Sequence, residues 1–222
     1  MHKSILIMKD KTNKIRTDQA HPIFFVYDIS LDPDKRNMSV FSKSMRKKIL
    51  SQHLGIEPES VLFSKEECGK PILKGENNLR FNISHTGNYW IMVLSKEGDI
   101  GVDIEIHKER KNMDYIVSSY FHALEHKEYR KQKTDVDKKK FFYRIWTRKE
   151  AYAKYLGLGL NYDFSSSNFR NDNVPCVNIS TAFIANIKDC HSTTVSIAHK
   201  NILNKIRVYG NTSLKKLSFF AS

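Results

Sequence analysis

The chain has 222 residues, 40% of them hydrophobic and 27% charged, and its 37 Lys and Arg outweigh 24 Asp and Glu to give a formal charge of +13. That length and apolar share suit a globular protein with a good core, argue against a disordered chain, and leave a positive balance that favours an anionic partner. The apolar runs at residues 23–27 and 89–94 are far below membrane-spanning length, and the polar N-terminus has no signal-peptide core, so a soluble protein is expected.

In chain order, residues 5–8 and 24–29 read as strands. Residues 39–54 place Val40, Phe41, Met45, Ile49 and Leu54 among basic residues, which predicts an amphipathic helix ending at Gly55. Strands follow at 80–83, 89–94 and 101–106, with Thr86-Gly87-Asn88 as a hairpin turn between the first two. Residues 113–129 and 140–155 read as helices, the second stopped by Gly157-Leu158-Gly159, and Lys138-Lys139-Lys140 reads as a solvated stretch between them. Strand character returns at 177–187, 195–199 and 206–209, so the chain is an α+β mixture. Cys68, Cys176 and Cys190 contain no C-x-x-C pair, which indicates neither a disulfide framework nor a zinc knuckle and fits a reducing cytoplasm.

Two blocks carry the chemistry. In Gly101-Val102-Asp103-Ile104-Glu105 the carboxylates are two residues apart, so a strand sends both to one face while Val102, Ile104 and Ile106 fill the other. In Trp146-Thr147-Arg148-Lys149-Glu150-Ala151-Tyr152-Ala153-Lys154, helical spacing gathers Glu150 with Lys149 and Lys154. Mg²⁺ takes a few carboxylate oxygens and completes its shell from water and substrate phosphate, so Asp103, Glu105 and Glu150 are candidate metal ligands. Lys149 and Lys154 are placed to neutralise phosphate charge. Taken alone, either block is more often a solvated face or a surface ion pair. Trp146 reads as a packing residue between helix and sheet.

A third block, Phe81-Asn82-Ile83-Ser84-His85-Thr86, precedes the acidic strand, and Gly69-Lys70-Pro71 precedes that. In this order and approximate spacing, over about residues 63–160, the chain resembles the Sfp-type 4′-phosphopantetheinyl transferases. The resemblance implies transfer of the phosphopantetheine arm of coenzyme A to a serine hydroxyl of an acyl or peptidyl carrier protein, converting apo to holo form and releasing 3′,5′-ADP. It implies Mg²⁺ held by Asp103 and Glu105, with Glu150 as a further ligand or as the base for the serine proton. Lys154 would stabilise charge on the leaving phosphate. Ser84, His85, Lys70 and Pro71 would contact coenzyme A. Ser39 would meet its 3′-phosphate, although Met38 stands where the family usually has a basic residue, with Arg36 and Lys43 close by.

The resembled fold has two similar α/β lobes related by a pseudo-twofold axis. A division at residue 100 gives a nucleotide-contacting lobe over 1–100 and a carboxylate lobe over 101–222. No internal repeat and no Pro-rich or Gly/Ser-rich linker is visible, which fits one compact, monomeric body. A basic nucleic-acid-binding or scaffold protein on the same fold is the alternative, but aromatic residues do not interleave with the basic runs and no nucleic-acid motif occurs, so neither nucleic acid nor membrane is expected as a partner. Another Mg²⁺-dependent phosphoryl enzyme lacks support because no G-x-x-x-x-G-K-S/T loop is present. Whether the carrier serves fatty-acid, polyketide or nonribosomal-peptide synthesis is not written in these residues.

Overall fold

Strands form where apolar residues alternate or run together, and their paired registers build two sheets in the computed structural model. It describes residues 3–4, 6–9, 22–32, 34, 37–75, 78–171, 173–174, 177–185, 192–201, 205–210 and 218–221. Arg36, Cys176, Cys190, Ile5 and the end of the strand expected over 177–187 lie outside them. The strands are β1 (Lys3–Ser4), β2 (Leu6–Lys9), β3 (Ile23–Asp28), β4 (Phe63–Lys65), β5 (Pro71–Leu73), β6 (Arg80–Thr86), β7 (Tyr89–Ser95), β8 (Ile100–Ile106), β9 (Asn173–Val174), β10 (Val177–Ala185), β11 (Ser192–His199), β12 (Lys205–Gly210) and β13 (Ser218–Ala221). The α-helices are α1 (Met38–Leu54), α2 (Met113–Tyr120), α3 (Ala123–Arg130) and α4 (Asp135–Leu156).

One sheet runs β2-β12-β3-β7-β6 and the other β1-β13-β10-β11-β8, with β9 alongside β10 and a separate β4-β5 ribbon. The strand order crosses the middle of the chain, because β12 lies parallel between β2 and β3 while β1 pairs with β13. Phe24, Val26, Ile91 and Val93 of one sheet meet Val102, Ile104, Val195 and Ile197 of the other in a fully apolar layer. On the outer side of the first sheet, α1 buries Phe41, Met45, Ile49 and Leu50 with Phe25, Trp90 and Met92. On the outer side of the second, the α2–α4 group buries Phe121, Phe142, Ile145 and Ala151 with Ile179 and Ala198. The result is four layers, helix, sheet, sheet and helix.

The helix expected over 113–129 is two helices. Phe121 is extended, and His122 starts α3 with a capping box in which its ring accepts the Leu124 N–H and Glu125 accepts the His122 N–H. Helix α4 begins earlier than expected, at Asp135, capped by Thr134, whose hydroxyl accepts the Asp137 N–H, so Lys138, Lys139 and Lys140 belong to its first turns. Lys139 pairs with Glu109 there. Trp146 is a packing residue as expected, but its ring stacks between Phe142 of its own helix and Phe164 of the segment after α4.

Lys149 overturns the expectation made for it. It is fully buried, 2.8 Å from an equally buried Glu125, and donates to the carbonyls of Phe164 and Ser167 beside the Phe121 and Phe169 rings. Burial lowers its pKa, and Glu125 opposes that effect. The other Glu125 oxygen accepts the Phe169 N–H at 2.5 Å, so the pair ties α3, α4 and the segment after α4 together. No phosphate can reach this ammonium. Lys149→Met should therefore lower stability by about 3–5 kcal/mol by stranding a buried carboxylate, and Glu125→Leu in the same chain should recover part of it. Chemical denaturation of the three proteins checks this, and a Lys149→Met loss confined to activity would contradict it.

Candidate active site

The site is built where two sheet edges meet. Strand β8 ends one sheet and β6 ends the other, and an edge strand presents unpaired backbone groups that must be satisfied. Here side chains do it: Asn82 Oδ1 accepts the Val102 N–H at 3.0 Å, and Thr86 Oγ1 accepts the Ile106 N–H at 3.3 Å. The β6 hairpin is closed by Gly87-Asn88, with Thr86 paired to Tyr89 and Gly87 at φ 53°, the left-handed conformation that favours glycine.

Alternation on β8 works as the sequence predicts for Val102 and Ile104, whereas Ile106, expected beside them, is only half-buried and lies outside that core. Val102 and Ile104 enter the core between the sheets, while Gly101 and Asp103 meet α4 and Glu105 projects to the same side of the strand. Gly101 sets the approach of the helix: a Cβ there would stand 2.0 Å from the Ala151 carbonyl oxygen and 2.5 Å from the Tyr155 nitrogen. Only a residue without a side chain lets α4 lie this close, and that contact delivers Lys154 to Asp103.

Lys154 Nζ lies 2.6 Å from Asp103 Oδ1 and also donates to Ser84 Oγ at 3.0 Å. Ser84 in turn donates to the same Asp103 oxygen at 2.8 Å. The ion pair therefore crosses from helix to strand rather than running along α4 to Glu150. Asp103 is 5% exposed, and its Oδ2 is buried without a hydrogen-bond partner. Glu105 accepts from Thr86 Oγ1 at 3.3 Å and pairs with Arg110 at 3.5 Å. Arg110 is itself held by the Tyr143 hydroxyl at 3.2 Å. Burial, then the Asp103 charge, raises the Glu105 pKa. The same two causes push Glu150 up to about 6, against the opposing pull of Lys154. Three carboxylates that repel one another, one with an orphaned oxygen, make a site short of positive charge.

That donor set suits a hard dication. Among the described residues no three His, Cys, Asp or Glu side chains already stand together as a metal cage. An ion that draws most of its shell from water and phosphate does not need one.

The remaining expected contacts are not gathered at these carboxylates. Lys70 is 8% exposed and donates to the Tyr155 carbonyl at 2.9 Å, with Asp99 at 3.5 Å, so its ammonium is used to finish the C-terminal end of α4. Pro71 opens β5 and pairs with Lys65. His85 is exposed on β6, and Ser39 is exposed in the first turn of α1, on the outer side of the other sheet. Sequence reasoning missed Arg110 and the Asn82 and Thr86 bridges. The three polar residues at alternating positions of β6 were the available signal for the bridges.

Two family models match this chain: the 4′-phosphopantetheinyl transferase superfamily over residues 99–204, and the 4′-phosphopantetheinyl transferase N-terminal model over 25–97. The chain belongs to the 4′-phosphopantetheinyl transferase superfamily, as the linked motifs suggested. Among curated relatives, 4′-phosphopantetheinyl transferase HetI of Nostoc sp. (strain PCC 7120) is 34% identical over 131 residues, 58% of this chain and 55% of that protein. AcpT of Escherichia coli (strain K12) is 38% identical over 109 residues, 49% of this chain and 54% of that one. The 4′-phosphopantetheinyl transferase of Bacillus subtilis is 31% identical over 116 residues, 52% of this chain and 50% of that one. The matches thus span about half the length of these relatives.

Because the folded pKa of Glu150 is raised from an ordinary 4.5 to about 6, the folded chain binds the extra proton between those values. Its contribution to stability is present below about pH 4.5 and is lost as pH rises through about 6, at a cost of at most about 2 kcal/mol. Glu150→Gln should therefore raise the melting temperature of the metal-free protein at pH 7 and flatten this part of its pH profile. Thermal melts in chelator from pH 4.5 to 7.5 check it, and a destabilised variant at pH 7 would contradict it.

Proposed function

We propose that this protein transfers the 4′-phosphopantetheine group of coenzyme A to a serine hydroxyl of an acyl or peptidyl carrier protein, releasing 3′,5′-ADP, with Mg²⁺ as cofactor. The observation that carries the reading is the buried, unpartnered Asp103 Oδ2 among Glu105, Glu150 and Lys154. Family membership and relatives named as such transferases support the same activity.

In this reading Asp103, Glu105 and Glu150 would hold the ion through carboxylate oxygens. Bound Mg²⁺ would neutralise the pyrophosphate and stabilise charge on its oxygens. The serine oxygen forms a bond to the phosphorus nearer the pantetheine, and the bond from that phosphorus to the bridging oxygen breaks. The leaving 3′,5′-ADP carries the electron pair. Lys154 is the cation beside Asp103 and can follow the charge that builds on the leaving phosphate. Glu150 acts as a further ligand or accepts the serine proton. Its raised proton affinity in the metal-free protein suits the second role, while tight ligation of an ion would lower that affinity. His85, exposed on β6, and Pro71 remain the proposed coenzyme A contacts, together with Lys70 and Ser39. For Lys70 that contact requires the ammonium to leave the Tyr155 carbonyl.

The reading also takes residues 1–100 as the nucleotide-contacting lobe and 101–222 as the carboxylate lobe, related by a pseudo-twofold axis. The support is that each sheet carries its own long helix, α1 or α4, on its outer face. The exchanged strands β1 and β12 qualify any clean division of the chain. Among the described residues no helix is long and apolar enough to cross a membrane. Action as a monomer in the cytoplasm, on a carrier protein rather than on nucleic acid, completes the reading.

Intact-mass spectrometry of an apo carrier protein incubated with this chain, coenzyme A and Mg²⁺ should show the gain of one phosphopantetheine, abolished by chelator. Asp103→Ala should reduce the rate by about a hundredfold or more. Several folded carrier proteins left unmodified would sink the transferase reading, and an unchanged Asp103→Ala rate would remove that residue from the site.

A further inference from the structure

Two hydroxyls on one face of β6 are spent on two carboxylates of β8. Ser84 Oγ donates to Asp103 Oδ1 at 2.8 Å, and Thr86 Oγ1 donates to Glu105 Oε2 at 3.3 Å. A hydroxyl has one proton to give and two lone pairs to accept with. Ser84 accepts from Lys154, and Thr86 accepts the Ile106 N–H, so each uses its acceptor side on the protein as well. With its proton given to Asp103, Ser84 has none to offer a coenzyme A phosphate in this arrangement. Ser84 is also only 7% exposed, whereas His85, projecting from the opposite face of β6, is exposed.

The geometry points to Ser84 and Thr86 as positioning residues that fix the Asp103 and Glu105 carboxylates for the dication, rather than as coenzyme A contacts. The inference rests on the metal-dependent transferase reading of this site. Its physical content is the selection of oxygens. Ser84 and Lys154 both occupy Asp103 Oδ1, which leaves the buried Oδ2 as the oxygen without a partner. Thr86 and Arg110 hold Glu105 from its two oxygens, so that side chain enters the site from a set direction. The spacing follows from the strand itself: residues 84 and 86 project to the same side of β6, as 103 and 105 do on β8, so one hydroxyl meets each carboxylate. Outer partners that orient ligating carboxylates typically change metal affinity by about 10- to 100-fold when removed.

The test uses Mn²⁺ as the probe, titrated into the full chain without coenzyme A and followed by electron paramagnetic resonance of the free ion. Thr86→Val removes the hydroxyl at nearly constant shape, and Ser84→Ala does the same at the second position. Each should weaken Mn²⁺ binding by about 10- to 100-fold. Thr86→Ser, which restores the hydroxyl, should return Mn²⁺ affinity towards the original. Coenzyme A affinity measured in chelator should be unchanged in all three. Unchanged Mn²⁺ affinity in folded Ser84→Ala and Thr86→Val proteins overturns the inference, as does a loss of coenzyme A affinity in chelator without a change in Mn²⁺ binding. Should Thr86→Val not fold, the Ser84→Ala and Thr86→Ser results decide alone. An unsubstituted chain that binds Mn²⁺ but modifies no carrier protein would sink the transferase reading while leaving the positioning roles intact. Normal transfer with insensitive variants would sink the positioning roles alone.

Discussion

The meeting of two sheet edges at β6 and β8 is the constraint on which the rest depends. Edge strands expose backbone groups, and proteins usually cover them with charge, a bulge or another element. Here the cover is a row of short polar side chains, and it leaves the carboxylates of β8 beside the hydroxyls of β6 instead of in open solvent. The seam holds because apolar residues of both sheets pack together immediately behind it. Shifting β8 by one residue would send Asp103 and Glu105 into that apolar layer and Val102 and Ile104 out of it.

Helix α4 completes the arrangement from the other side. Gly101 permits near-contact of helix and strand backbones, Lys70 finishes the C-terminal end of the helix, and the Glu125–Lys149 pair anchors its middle. The first two bear on Tyr155 near the end of the helix and the third on its middle, and between them they leave Lys154 turned towards Asp103. The low dielectric that makes the Glu125–Lys149 pair costly to break also raises the proton affinity of Glu150 and Glu105. Structural rigidity and an electrostatically poised site thus share one cause.

Much of the fold was legible in the chain. The strands at β3, β7 and β8, helix α1 with its Gly55 terminus, and the Gly87-Asn88 hairpin follow from period, caps and turn residues. The break at Phe121 was not legible, because residues 113–129 keep enough helical periodicity to hide an extended residue that tertiary packing requires. Lys149 was misread for a different reason. At about 100° per residue, Lys154 lies only about 40° from Glu150 around the helix while Lys149 lies about 100° away, so the angles already favoured Lys154, and adjacency in sequence to Glu150 was the misleading signal.

What the sequence by itself determined was the donor set and its faces: Asp103 and Glu105 together on one side of a strand, Glu150 and Lys154 one turn apart on a helix, and the linked blocks that identify the family. Local periodicity decides such things, because it depends only on neighbours along the chain. Only the tertiary structure decided which partner each group has. Lys154 forms its ion pair with Asp103, Ser84 and Thr86 meet carboxylates, and Lys70 meets the end of a helix. Those pairings join residues 19 to 85 positions apart, and they arise from competition among buried polar groups for a limited number of donors and acceptors.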